Sequence, residues 1–222
     1  PASLYEKRKA VYPRQIDGRF RRLKWLIMAF TLGVYYITPW LRWDRGPWSP
    51  HQAVLIDLAH HLGRTRQAVG HDTLMRILDA DGIVVEPGDM LCLHTGFADT
   101  LLAMNRQPDL ATLHATGSGL DGWDPRLLDW IVDSRIACLI ADNPAVELVV
   151  PKLLRPQPLR QPRLPLHEHC LFKNGIHLGE LWYLTELATW LRAHGRSRFL
   201  LTAPPLRLPG AVGSPVTPIA TV

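Results

Sequence analysis

From Ala53 onward the chain alternates between two kinds of apolar pattern. Short continuous apolar runs, such as "AVLIDLA" (Ala53–Ala59) and "IACLIAD" (Ile136–Asp142), are bounded by turn residues and predict buried strands. Between them lie stretches whose apolar residues recur every three to four positions. "HDTLMRILDADG" predicts a helix with Asp72 as its cap, Leu74, Ile77 and Leu78 on one face, and Gly82 as its stop. Pro87-Gly88 predicts a turn, followed by a strand over Met90–Thr95. Asp124-Pro125 predicts a capped helix start with Leu127, Leu128 and Ile131 on the buried stripe. Leu181–His194 predicts an amphipathic helix turning Leu184, Leu187, Ala188 and Leu191 inward, and "RFLLTAPPL" predicts a last strand. "KLLRPQPLRQPRLPL" is too rich in proline for either period and predicts a loop or extended arm. Together these elements predict an α/β or α+β domain over 53–222.

The first fifty residues are of another kind. Lys7, Arg8, Lys9, Arg14, Arg19, Arg21, Arg22 and Lys24 crowd into 1–24, and this basic arm carries the net charge of +5. The rest of the chain is slightly acidic, which speaks against a nucleic-acid-binding face on the folded part. Seventeen uncharged residues follow between Lys24 and Arg42, flanked by Trp25, Tyr35, Tyr36, Trp40 and Trp43. That length, with aromatic ends and a basic flank, predicts a transmembrane helix over 25–43 preceded by a cytoplasmic arm. An anchor of this kind would tie the protein to a membrane and carry the later residues across it.

At 47% hydrophobic and 20% charged, the chain has the composition of a packed domain. Cys92, Cys138 and Cys170 lie far apart without CxxC spacing and read as free thiols. The chemistry concentrates in "LPLHEHCLFKNGIHLGELWYL". If His167 and His169 lie on a strand, they point to the same side, with Glu168 opposite. Glu180 follows after Gly175 allows a turn. Imidazole and carboxylate brought together this way are ligands for a divalent metal, although the spacing is not that of HExxH. His94 and Asp142 end predicted strands and are candidate substrate-binding residues. His177 and Cys170 are expected to face the core, as are Trp123, Trp130, Trp182 and Trp190.

Two resemblances sharpen this reading. "LYEKRKAVYPRQIDGRFRRLKWLIMAFTLGVYYITPWLRWDRGP" resembles the start of the cytochrome c oxidase accessory protein family, over about Leu4–Leu58. Those are membrane proteins carrying iron–sulfur clusters. The cysteine runs that hold such clusters are absent here, so the redox role does not carry over. "GDMLCLHTGF", "DNPAVE", "LHEHCLFKNGIHLGELWYL" and "LTAPPLRLPGAVGSPVTPIA" resemble the cyclase family, the kynurenine formamidase-like metal-dependent hydrolases, over about Val54–Val222.

The cyclase resemblance implies a swivelling β/β/α fold, a homo-oligomer, a cytoplasmic setting and a small-molecule substrate. It also implies zinc or manganese activating water against an amide, ester or lactone bond. It places the late metal ligands on His167, with His169 the other candidate, and on Glu180, and a structural turn at Gly213-Ser214-Pro215. The family's HxGTHxDxPxH run occurs nowhere in the chain. His51, His60, His61, His71, His94 and His114 stand in other contexts, so a cyclase domain lacking its N-terminal part and impaired in hydrolysis is expected. The alternative is a non-catalytic membrane-anchored chimera, with the head of one protein and the tail of another, or a ligand-binding pseudoenzyme.

Overall fold

Alternation along β1 (Gln52–Asp57) decides how the molecule is layered. Val54 and Ile56 point to one side and Ala53 and Leu55 to the other, and all four are buried. A strand buried on both faces needs cover on both, and the chain supplies it. A computed structural model describes residues 52–149, 162–211 and 213–222. Its strands and helices run β1, α1 (Leu58–Leu62), β2 (Ala68–Val69), α2 (His71–Ala80), β3 (Met90–His94), α3 (Phe97–Ala103), α4 (Leu110–Ala115), β4 (Gly119–Leu120), α5 (Pro125–Asp133) and β5 (Cys138–Ala141). Then follow α6 (Pro165–His167), a π-helical turn over Glu168–Asn174, β6 (His177–Gly179), α7 (Thr185–Ala193), β7 (Arg198–Thr202) and β8 (Ile219–Thr221).

The main sheet has the order β6-β5-β3-β1-β7-β8. Its first four strands are parallel, whereas β7 runs antiparallel to β1 and β8 antiparallel to β7. One face packs Val54, Ile56, Leu91, Leu93, Leu139 and Ala141 against α2 and α5 through Leu74, Ile77, Leu127 and Ile131. The other packs Ala53, Leu55, Cys92 and Ile140 against α7 through Leu184, Ala188 and Leu191. β2 and β4 form a separate two-stranded parallel ladder.

The predicted strands and helices over these segments are present, with shifts at their ends. Gly70, not Asp72, is the N-cap of α2. Asp124 caps α5 as expected, its carboxylate accepting from the N–H groups of Arg126 and Leu127. Ser214 Oγ donates to Leu206 O at 2.7 Å in the exposed segment between β7 and β8. All three cysteines are free thiols.

One expectation of the architecture is corrected. A membrane-spanning helix ahead of the domain was expected, but among the described residues no helix is long and apolar enough to cross a membrane. The longest, α2, has 10 residues, against the roughly 20 that a bilayer requires. The stretch 25–43 and the basic arm 1–24 lie outside the described residues, as does most of the proline-rich arm. What is described is a mixed α/β domain.

Arg198 locks β7 to the approach of β3. Its guanidinium donates to both oxygens of Asp89 at 3.0 Å and 3.0 Å, to Val84 O at 2.6 Å and to Gln52 Oε1 at 3.0 Å. Asp89 is 2% exposed, so losing the arginine strands a buried carboxylate. Arg198→Ala is expected to lower the unfolding free energy by about 2–4 kcal/mol. That is under the roughly 3–5 kcal/mol of a fully enclosed pair, because the arginine keeps part of its exposure. Denaturant unfolding checks it, and a loss below about 0.5 kcal/mol would class the pair with ordinary surface bridges.

Candidate functional site

The residues of "LHEHC" fold as helix, not strand. Pro165 stands at the first position of α6, where its fixed φ and missing N–H cost nothing. Leu166 and Cys170, four apart, are both fully buried. The chain then widens into the π-helical turn, which ends at Gly175 with φ of 65°. Residues two apart on a helix point to nearly opposite sides, so the same-side placement of His167 and His169 is corrected. His169 is part-buried, and its Nε2 finds no hydrogen-bond partner among the described residues. His177 is exposed on β6, contrary to the core position expected for it, whereas Cys170 is buried as expected.

His167 and Glu180 do come together. His167 Nε2 lies 2.9 Å from Glu180 Oε1, and Nδ1 lies 2.8 Å from Glu147 Oε1. Glu147 is 4% exposed and also accepts from the backbone N–H groups of Leu166 and His167, each at 3.1 Å. It thus fixes both the backbone and the ring of His167. With Nδ1–H donated to Glu147, Nε2 is the nitrogen turned toward Glu180. Hydrogen bonding to Glu147 raises the His167 pKa above its ordinary value, burial opposes the shift, and the charges of Glu147 and Glu180 reinforce it.

Two glycines make room for this carboxylate. A Cβ on Gly122 would run into the Glu147 carboxylate itself and stand 2.9 Å from Pro165 Cγ and 3.0 Å from Leu166 N. A Cβ on Gly119 would stand 2.7 Å from Leu148 N and 2.9 Å from Glu147 C. Glu147 itself was not singled out as a site residue from the sequence. The signal was there, a carboxylate inside the apolar run "AVELVV".

Asp142 and His94 lie elsewhere. Asp142, fully buried after β5, accepts from Thr95 N at 2.8 Å, Thr95 Oγ1 at 2.6 Å and Gly96 N at 2.8 Å. Both of its oxygens hold the turn into α3. His94, 6% exposed at the end of β3, places Nδ1 2.8 Å from Asp57 Oδ1 and Nε2 3.4 Å from Thr185 Oγ1.

The donor set fits only part of a catalytic metal site. A histidine whose second ring nitrogen is held by a carboxylate is the usual form of a metal-ligating imidazole, and Glu180 offers a second ligand. A catalytic zinc takes three protein ligands. Among the described residues no group of three or more His, Cys, Asp or Glu side chains is arranged to hold an ion.

Residues 46–148 match the family model described as "Putative cyclase". A crystal structure of a novel cyclase is 31% identical, with a TM-score of 0.61, over 77% of this chain and 53% of that one. Isatin hydrolase A from Ralstonia solanacearum shares the fold at 16% identity and a TM-score of 0.51, over 79% of this chain and 62% of that one. At the other end, nitrogen fixation protein FixG of Rhizobium meliloti (strain 1021) is 66% identical over 56 residues, 25% of this chain and 11% of that protein. Protein RdxB of Cereibacter sphaeroides is 63% identical over 59 residues, 27% of this chain and 12% of that protein. The chain thus spans about a tenth of the curated relatives it matches and between half and two thirds of these solved structures. It is similar to the cyclases over its C-terminal part and to the FixG and RdxB proteins at its N-terminus.

Proposed function

We propose that the domain over 53–222 is a cyclase-type, metal-dependent hydrolase domain whose metal site is incomplete and whose hydrolytic activity is impaired. The observation that carries this reading is the grip on His167. A buried carboxylate orients its ring from one side, and the free ring nitrogen meets a second carboxylate on the other. That arrangement suits a zinc or manganese ion held by His167 and Glu180, with His169 outside the pair. Glu147 orients and does not ligate. Such an ion, when bound, lowers the pKa of its water and polarises a carbonyl. The described side chains supply two ligands toward it, so no catalytic step is assigned to them. The substrate class is a small molecule with an amide, ester or lactone bond. The isatin hydrolases with the same fold make a cyclic amide the first compound to try.

The test is binding of zinc or manganese to the purified full chain, read by calorimetry and elemental analysis. His167→Ala and Glu180→Gln are each expected to abolish binding at this site. Glu147→Gln should weaken it by about 10–100-fold, the usual effect of removing a carboxylate that orients a ligating histidine. Unchanged stoichiometry in the His167 and Glu180 variants would overturn the assignment. Hydrolysis of the cyclic amide at the pace of ordinary enzymes, a turnover of about 1 s⁻¹ or more, would overturn the impairment.

The raised His167 pKa fixes the pH dependence. Below that pKa the imidazolium sits between two carboxylates and excludes a cation. As pH rises through it the proton leaves Nε2, and the nitrogen becomes a ligand. Metal affinity is therefore expected to climb over the pH range above the ordinary histidine value of about 6.5. In proton NMR of the metal-free protein His167 should titrate above the ordinary histidine value, and Glu147→Gln should bring it down. An affinity flat across that range would contradict a histidine ligand.

Gly122→Ala tests the packing behind the site without touching a polar group. The added methyl must displace Glu147 or the start of α6. We expect a loss of about 1–3 kcal/mol of stability, the common cost of overpacking, together with weakened metal binding. A variant with full stability and wild-type binding would show that Glu147 is not confined there.

A further inference from the structure

A second polar cluster stands apart from the His167 pair. Asp57 and His94 are partners in the parallel register of β1 and β3 and lie at the carboxyl ends of both strands. Open α/β sheets place their reactive residues at those ends. Asp57 is 8% exposed and His94 6%. Oδ1 of Asp57 accepts from His94 Nδ1 at 2.8 Å, and the same carboxylate accepts from His60 N at 3.0 Å and pairs with Arg192. With Nδ1–H donated to Asp57, Nε2 is the basic nitrogen, and it faces Thr185 Oγ1 at 3.4 Å.

Thr185 is the part-exposed first residue of α7, whose first turn has no side-chain cap. The N–H groups of that turn have no partner within the helix. A cavity of about 240 Å³ lies beside Asp57, lined by Asp57, His60, Ala188, Leu191 and Arg192, whereas Thr185 and His94 stand outside its lining.

We propose that Thr185, His94 and Asp57 form a nucleophile, general base and positioning carboxylate that transfer acyl groups from small activated esters without a metal. Three elements distant in sequence converge in the order hydroxyl, imidazole, carboxylate, the arrangement that activates a hydroxyl nucleophile. Thr185 Oγ1 attacks the ester carbonyl carbon as its proton passes to His94 Nε2. The tetrahedral adduct collapses, the bond to the leaving oxygen breaks, and His94 returns the proton to that oxygen. Water then attacks the acyl carbon and gives a proton to His94. The bond to Oγ1 breaks, Oγ1 recovers the proton, and a carboxylic acid leaves. Burial lowers the His94 pKa, which keeps the ring neutral and able to accept a proton near neutral pH.

The experiment uses the full chain, p-nitrophenyl acetate and excess EDTA. Release of p-nitrophenol above the buffer rate, with one acetyl group on the peptide that contains Thr185, is the expected result. Thr185→Val should slow release by about 10²-fold, within the range of acid–base and nucleophile losses. Thr185→Ser, which keeps a hydroxyl in place, should restore it. His94→Gln should slow release similarly, with circular dichroism showing that it folds. Release that disappears with EDTA would assign the activity to a metal and overturn the proposal. So would acetylation elsewhere, a Thr185→Val rate within about twofold of wild type, or no release at all. Because EDTA strips any ion from His167 and Glu180, failure here leaves the metal reading intact, and failure of the metal reading leaves this one intact.

Discussion

The Glu147 carboxylate must be enclosed, and much of the described domain is arranged around that requirement. At 4% exposure it has almost no water to solvate it, and an unpaired charge so placed would cost several kcal/mol. Three N–H groups from α6 and the His167 ring satisfy it. To reach them, the segment after β5 must lie along β4, where Leu120 N donates to Val146 O at 3.1 Å and Leu148 N donates to Leu120 O at 2.8 Å. That close approach explains why 119 and 122 are both glycine. One buried carboxylate therefore ties the small two-stranded ladder, the strand-end turn at Asp142–Leu148 and the start of α6 into one unit. The unit brings His167 to Glu180.

Elements long enough to show a period were legible in the sequence. β1, β3 and β5 are largely apolar runs of four to six residues, and α2, α5 and α7 are helices of nine or ten residues, each with a buried stripe. β2, β4, β6 and β8 have only two or three residues each, too few for any period to register. The reading of His167 and His169 on a strand failed for a different reason. Alternation of His and Glu over three residues suits a strand, but the same stretch also had Pro165 at a helix start and Leu166 and Cys170 at i and i+4. Burial of those two side chains decided between the readings. His167 with Glu180 was legible because only 13 positions separate them; Asp57, His94 and Thr185 were not legible as a group, because 37 and 91 positions intervene.

The histidines show how little residue type fixes a role. His177 sits exposed on a short edge strand. His169 turns a buried nitrogen away from any partner among the described residues. His94 and His167 each have one nitrogen held by a buried carboxylate. Only this last condition removes the ambiguity of tautomer and ring orientation that otherwise spreads imidazole over many states.

A common rule underlies both clusters. β1 and β3 end on a polar residue, Asp57 and His94, and Asp142 directly follows β5, where a parallel strand gives way to a turn with unpaired N–H groups. The acids satisfy those groups first: Asp57 accepts from His60 N, and Asp142 from Thr95 N and Gly96 N. This is a structural duty. Chemistry becomes available only where an imidazole joins a carboxylate already fixed in this way, because one ring nitrogen is then consumed and the other is aimed. At His167 the aimed nitrogen meets a second carboxylate, which suits a cation. At His94 it meets a hydroxyl, which suits proton transfer. The same local rule, applied at two places on the sheet, thus yields two different chemical environments, and the partner opposite the second nitrogen is what separates them.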